Sequence, residues 1–392
     1  MESFFRTHDN LVEHVKSPVR RQLMDEINWE DRLIAIKGTR GVGKTTFLLQ
    51  YARERYGTSR ACLYVNMNNF YFATHSLVEF AGTFQDRGGR VLLLDQIFKY
   101  TDWSRDLRAC YERYPRLRIV FTSNSALSVE QDNPDLEGIV HCYNLRGFSF
   151  REYLNLRTGY RYAPHTLAEI LSHHEELTKE VVRDIDPMGY FEEYLRCGFY
   201  PFCLEKGNFT ENLLKTMNMM IELDILFVKL IDQTYLGRIK KLLCLLAMDG
   251  EMLNISRLSQ EIETSRATVM NYIQYLYDAR LINLLYQKET ASLKKPTRVL
   301  LHNSNLLYCM KPDPDFYEVM ETFFMNTLMK DHWVSVGDKT CTFWVDREHR
   351  FQLLREGWTN SDLKRSGVHY VSGHKCMGSS DILPLWIFGF LY

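Results

Sequence analysis

A parallel three-layer α/β domain is the fold that residues 31–147 predict, and three observations carry the prediction. Short apolar runs recur with room for a helix between each pair. One of these runs ends in a lone acid, Asp95. Another leads straight into a glycine-rich turn that opens a helical pattern. A strand buried on both faces of a parallel sheet is apolar throughout rather than alternating, and that is how these runs read.

Taken in order, residues 1–30 form a helical segment with Val12, Val15, Val19, Leu23 and Ile27 near one face and a break at Pro18. Arg20 and Arg21 follow that break and are expected at the surface, with approach to a ligand as the alternative. The first strand is Leu33-Ile34-Ala35-Ile36, and the turn after it is Gly38-Thr39-Arg40-Gly41-Val42-Gly43-Lys44-Thr45, with Thr46 beginning the helix. This spacing of glycines, lysine and hydroxyl is that of a phosphate-binding loop, in which backbone N–H groups and the positive end of the helix dipole converge on one point. In such a loop Lys44 reaches the β and γ phosphates of a nucleotide and Thr45 holds Mg²⁺ through its hydroxyl.

Ala61-Cys62-Leu63-Tyr64-Val65 predicts the second strand, and Ser76 caps a helix to Phe84. After the turn at Gly88-Gly89 comes Val91-Leu92-Leu93-Leu94-Asp95, whose carboxylate is the expected partner of the Mg²⁺ hydration shell. Gln96 follows directly after this acid. Its amide can orient a water but cannot accept the water's proton at neutral pH. Leu117 to Thr122 is the next strand, and Asn124 or Thr122 at its end is placed to face the γ phosphate or to cap the next helix. Ile139 to Leu145 is expected to close the sheet.

With these residues in hand, the chain resembles bacterial AAA-type ATP-binding proteins that carry a nuclease-like C-terminal domain. The likeness extends through Leu94-Asp95-Gln96-Ile97-Phe98-Lys99-Tyr100, Ile119 to Leu127, Phe148-Ser149-Phe150-Arg151-Glu152-Tyr153-Leu154 and Gly198-Phe199-Tyr200-Pro201-Phe202. It continues in Glu321-Thr322-Phe323-Phe324 and in Pro384 to Tyr392, so it spans nearly the whole chain. Three features depart from those relatives. They show Asp-Glu where this chain has Asp95-Gln96, Gly-Ser-Ser where it has Ser123-Asn124-Ser125, and an arginine pair where it has Gly138-Ile139. The resemblance implies ATP and Mg²⁺ as ligands, and the departures imply weak or absent hydrolysis. Lys44, Gln96 and Asn124 are then the residues nearest the chemistry, and Thr45 and Asp95 the metal residues.

Residues 148–235 are helical in pattern and would form the lid that AAA-type proteins place over the nucleotide. His173 and His174 within them read as surface or satisfied polar residues. Residues 236–302 fit a winged helix, with Arg238 to Ala247, Ser256 to Ile262 and Arg266 to Tyr277 as helices and Lys294-Lys295 at the tip of the wing. Its third helix carries Arg266 but is otherwise dominated by Tyr272, Tyr275 and Tyr277, which favours a protein-facing role over DNA. Residues 303–392 read as a degenerate nuclease-like domain: Asp338, Asp346 and Glu348 are acidic, but Gln352 stands where the relatives carry an acid.

Composition sets the outer bounds. In 392 residues, 48 basic against 49 acidic side chains leave a net charge of −1, so no global field recruits nucleic acid or membrane. Nine cysteines without a CxxC pair point to reduced thiols rather than a disulfide framework or zinc site. No run reaches the roughly 18 apolar residues a membrane span needs. The expectation is a cytoplasmic, ATP-binding conformational switch. An active ATPase and a DNA-associated regulator are the alternatives, and the oligomeric state is left open.

Overall fold

The computed structural model describes residues 1–126, 129, 133–248, 252–287, 295–358, 363 and 366–392. The chain divides into two compact units, Met1–Gly147 and Phe148–Tyr392.

In the first unit, α1 (Glu2–His14) buries Phe4, Phe5, His8 and Val12, a helical spacing that gives one apolar face. That face packs on a strand and a helix of the sheet domain. Pro18 falls between α1 and the short α2 (Leu23–Glu26), where its missing N–H and fixed φ break the helix. The sheet elements follow as β1 (Leu33–Lys37), α3 (Lys44–Arg55), β2 (Cys62–Asn66), α4 (Leu77–Asp86), β3 (Val91–Asp95), α5 (Trp103–Arg113), β4 (Arg118–Ser123) and β5 (His141–Asn144). Ser76 caps α4 as expected, accepting the N–H of Val78 at 3.1 Å.

All five strands are parallel, in the order β2-β3-β4-β1-β5. Residues alternate between two cores. Leu33, Ala35, Leu63, Val65, Leu92, Leu94 and Phe121 face one helical layer, and Ile34, Ile36, Cys62, Tyr64, Leu93 and Val120 face α3 in the other. Each fully buried aliphatic side chain in such a layer contributes about 1.5–3 kcal/mol. The fifth strand is shorter than the run 139–145. Among the described residues β1 is its one neighbour, and its residues are largely exposed, so the ladder ends where that pairing does.

The order β2-β3-β4-β1-β5 decides where a site can form. The β3 and β4 strands lie between β1 and β2, so the C-terminal ends of β1, β4 and β3 stand side by side, with Lys37 opposite Ser123 and Leu94 opposite Phe121. Ligands of open α/β sheets bind at such carboxyl ends, where the strand order reverses.

The second unit opens with α6 (Phe150–Thr158) and α7 (Leu167–Asp184), each started by a reciprocal capping box, Ser149 with Glu152 and Thr166 with Glu169. Next come α8 (Pro187–Glu193), a π-helical turn at Tyr194–Gly198, α9 (Phe209–Met219) and α10 (Leu226–Lys229). Three helices, α11 (Leu236–Met248), α12 (Ile255–Glu261) and α13 (Arg266–Asp278), precede an antiparallel hairpin of β6 (Ile282–Leu285) and β7 (Arg298–Leu301). Lys294, placed at the hairpin tip by sequence, lies outside the described residues, as does Leu127. After α14 (Ser304–Met310) and α15 (Phe316–Leu328) a mixed sheet forms from β8 (Val334–Val336), β9 (Phe343–Val345), β10 (His349–Leu354), β11 (Val368–Ser372) and β12 (Ile382–Pro384), in the order β12-β11-β10-β9-β8. The last residues, Leu385 to Phe390, are wholly buried. Phe150 sits edge-on to Trp386 and Phe390 there, and a Cβ on Gly389 would lie 2.4 Å from that of Phe150. Among the described residues no helix is long and apolar enough to cross a membrane.

Candidate functional site

The turn between β1 and α3 has the backbone a phosphate needs. Gly41 and Gly43 adopt φ of 86° and 90°, a left-handed conformation that L side chains rarely take. Gly38 is required for another reason: a Cβ there would lie 2.4 Å from the carbonyl oxygen of Leu145. The helices α4, α6, α7 and α13 each have a Ser or Thr side chain accepting an N–H of the first turn. By contrast, α3 begins at Gly43, which offers none. No side chain therefore stands at the positive end of its dipole, where an anion is favoured.

Lys44, half-buried, donates from Nζ to the carbonyl oxygens of Gly38 (2.7 Å) and Thr39 (2.8 Å), so its ammonium lies along the loop. Thr39 and Val42 are buried, Arg40, Gly41 and Thr46 half-buried, and Thr45 exposed. The Thr45 hydroxyl donates to Oδ2 of Asp95 at 2.7 Å. Asp95 itself is 1% exposed at the end of β3. Loop and acid, read separately from sequence, are thus brought together.

Two further hydroxyls converge on the same carboxylate. Tyr64 of β2 donates to Oδ2 at 2.8 Å, and Thr122 of β4 donates to Oδ1. Burial, and then the adjacent Asp95 charge, push the Tyr64 phenol well above its ordinary range, which favours the protonated, donating form. Thr122 also accepts the backbone N–H of Gln96 at 2.8 Å, while Gln96 takes a left-handed φ of 57°. Of the two candidates at the end of β4, Thr122 is therefore the one that reaches the acid, and Asn124 is buried one residue beyond the strand. The carboxylate and hydroxyl oxygens at Asp95 and Thr45 are hard donors suited to Mg²⁺. Among the described residues no group of three or more His, Cys, Asp or Glu could hold a metal by itself.

Arg21 corrects the expectation of an exposed pair. Arg20 is exposed and pairs with Asp25, but Arg21 is buried and donates to the carbonyl oxygens of Val42 (3.1 Å), Arg146 (2.7 Å) and Gly147 (2.9 Å). It ties the phosphate loop to the segment leaving β5. Sequence reasoning also missed Tyr64. The signal was there: a tyrosine in an otherwise apolar buried strand needs a partner for its hydroxyl.

In the second unit two of the acids, Asp338 and Asp346, accept backbone N–H groups. Asp338 accepts the N–H of Thr340 at 2.6 Å, and Asp346 accepts the N–H of Trp333 at 2.8 Å. Gln352 donates to the carbonyl of Leu353 at 2.8 Å. His174 is buried with Nε2 against the carbonyl of Ser379, and His173 is exposed at a kink of α7.

Residues 30–154 match the family model of an AAA domain. The parallel five-stranded sheet with its helices matches an AAA-type P-loop fold. Residues 188–309 match the model of a domain of unknown function, DUF8612. An uncharacterized protein of Methanocaldococcus jannaschii, MJ1637, is 29% identical over 275 residues, or 66% of this chain. The chain spans 58% of that relative's length. Among solved structures, Aeropyrum pernix ORC1 in complex with DNA aligns with 81% of this chain and 94% of its own at 12% identity and a TM-score of 0.31. AMPPCP-bound DnaA from Aquifex aeolicus aligns with 70% of this chain and 86% of its own at 15% identity and a TM-score of 0.26.

Proposed function

We propose that the first unit binds ATP together with Mg²⁺ and acts as a nucleotide-dependent conformational switch with weak or absent hydrolysis. One observation carries this reading: the uncapped start of α3 and the buried Asp95 meet through the Thr45 hydroxyl. Backbone N–H groups from Gly41 to Thr46 would cradle the phosphates, and the Lys44 ammonium would leave the carbonyls of Gly38 and Thr39 for the β and γ oxygens. Thr45 keeps its proton on Asp95 and so turns its lone pairs outward, toward the position where Mg²⁺ would neutralise phosphate charge. Gln96 supplies an amide where a proton acceptor is needed, and this supports slow turnover. Calorimetric titration of ATP–Mg²⁺ tests the reading. Micromolar binding to the parent and its loss in Lys44→Ala are expected, and no binding to the parent overturns it.

Within the second unit we read residues 148–235 as a helical lid, 236–302 as a winged helix and 303–392 as a degenerate nuclease-like domain. Three helices followed by an antiparallel hairpin support the middle assignment. On α13, Arg266 is exposed and Tyr272 buried, with Tyr275 and Tyr277 half-buried. One arginine on that helix neutralises little phosphate, so a protein partner fits this surface better than DNA.

A further inference from the structure

We propose that Tyr64 is a positioning residue for the metal-facing carboxylate, and that its phenol sets how strongly nucleotide binding depends on Mg²⁺. This rests on the reading of the loop as an ATP–Mg²⁺ site.

A carboxylate offers about four lone-pair positions. At Asp95 three are taken: Oδ2 accepts from Thr45 at 2.7 Å and from Tyr64 at 2.8 Å, and Oδ1 accepts from Thr122. One position, on Oδ1, is left for a water in a metal's shell. The donors come from both sides, because β2 and β4 flank β3 in the sheet. The torsion that turns an aspartate carboxylate is broad and two-fold, so a single donor would leave it free to rotate. Donors on both oxygens, from opposite neighbours, fix its plane.

Tyr64 is itself held. Its side chain is 4% exposed within the core layer of Ile34, Ile36 and α3, and its backbone N–H donates to Nδ1 of His8 at 3.0 Å. The hydroxyl therefore cannot follow the carboxylate if the carboxylate turns, and the carboxylate stays where the hydroxyl is. Mg²⁺ demands near-octahedral geometry and tolerates misplacement poorly, so orientation outweighs the small gain in basicity that losing one hydrogen bond would give Asp95.

Tyr64→Phe keeps the ring and removes only the donor. The test is a titration of Mg²⁺ into the full chain with a fluorescent ATP analogue, paired with the analogue's affinity in EDTA. The Mg²⁺ concentration at half-maximal response should rise about tenfold in Tyr64→Phe, while the EDTA affinity changes by less than about twofold. A general structural defect would weaken both together, and that result, or an unchanged Mg²⁺ midpoint, overturns the proposal. Thr122→Val, which frees the other oxygen, carries the same test should Tyr64→Phe not fold. If the parent does not bind the analogue at all, the nucleotide reading falls and this proposal with it. If parent and variant bind with the same Mg²⁺ midpoint, only the role of Tyr64 falls.

Discussion

Asp95 and Glu321 are both buried with side-chain partners on both oxygens, and those partners differ in charge. Asp95, 1% exposed, is held by the hydroxyls of Thr45, Tyr64 and Thr122. Glu321, 5% exposed on α15, is held in two places by the Arg298 guanidinium of β7, at 2.8 and 2.9 Å. Neutral donors satisfy the lone pairs of Asp95 without cancelling its charge, so the carboxylate can still attract a cation. Arg298 cancels the charge of Glu321, which leaves a strut between hairpin and helix. Burial and hydrogen bonding alone do not mark a binding acid. On the proposed reading, what separates Asp95 from Glu321 is the charge of the partners.

The largest effect expected from breaking this contrast is in the second unit. Arg298→Met strands Glu321 as a buried unpaired charge, at a cost of about 3 kcal/mol by urea denaturation. ATP–Mg²⁺ binding should not change. Equal loss of nucleotide binding would show that Glu321 is not the inert member of the pair. Asp95→Ala comes next. It deprives three hydroxyls of their acceptor, about 2 kcal/mol of destabilisation, and should abolish the Mg²⁺ dependence of nucleotide binding. An Asp95→Ala protein that still responded to Mg²⁺ would erase the distinction.

Much of this was legible in sequence, and the exceptions share a cause. The strands, the loop, Asp95 and the Ser76 cap depend on residues near one another in the chain, so periodicity and spacing reveal them. Arg21 and Tyr64 depend on partners that only the fold brings near. Arg20 and Arg21 look alike as neighbours, yet one reaches the surface and the other the carbonyls of Val42, Arg146 and Gly147, up to 126 residues away. Asn305 is a parallel case in the second unit. It is fully buried, donating to the carbonyls of Tyr194 and Leu195 and accepting the N–H of Phe199, and so it satisfies the π-helical turn from more than 100 residues away. A backbone carbonyl has no residue identity, so no pattern of letters announces such partners.

A smaller effect sharpens the contrast at Asp95 itself. If the carboxylate is a poised metal partner and only the proton acceptor is lacking, Gln96→Glu should raise phosphate release about 10- to 100-fold over the parent. The backbone N–H of Gln96 already anchors to Thr122, so the new carboxylate would start from a fixed main chain. No increase would mean that more than the proton acceptor is missing from the site.

The smallest effect concerns the support behind Tyr64. His8 is fully buried on α1, and its Nδ1 accepts the Tyr64 N–H, which a protonated ring cannot do. Burial lowers the His8 pKa, with the Arg60 charge adding to that direction and Asp9 and the Gly57 backbone opposing it. A histidine whose folded pKa is depressed contributes its full stability above the ordinary value of about 6.5 and loses it as pH falls from there toward the folded value. The docking of α1 on β2 should therefore weaken below about pH 6.5. Amide exchange at Tyr64, corrected for the intrinsic pH dependence, should accelerate over that range in the parent. In His8→Gln, whose amide oxygen can accept the same N–H without titrating, it should not. If both proteins showed the same profile, the edge of β2 would be held by the apolar face of α1 alone, and the grip on Asp95 would not pass through His8.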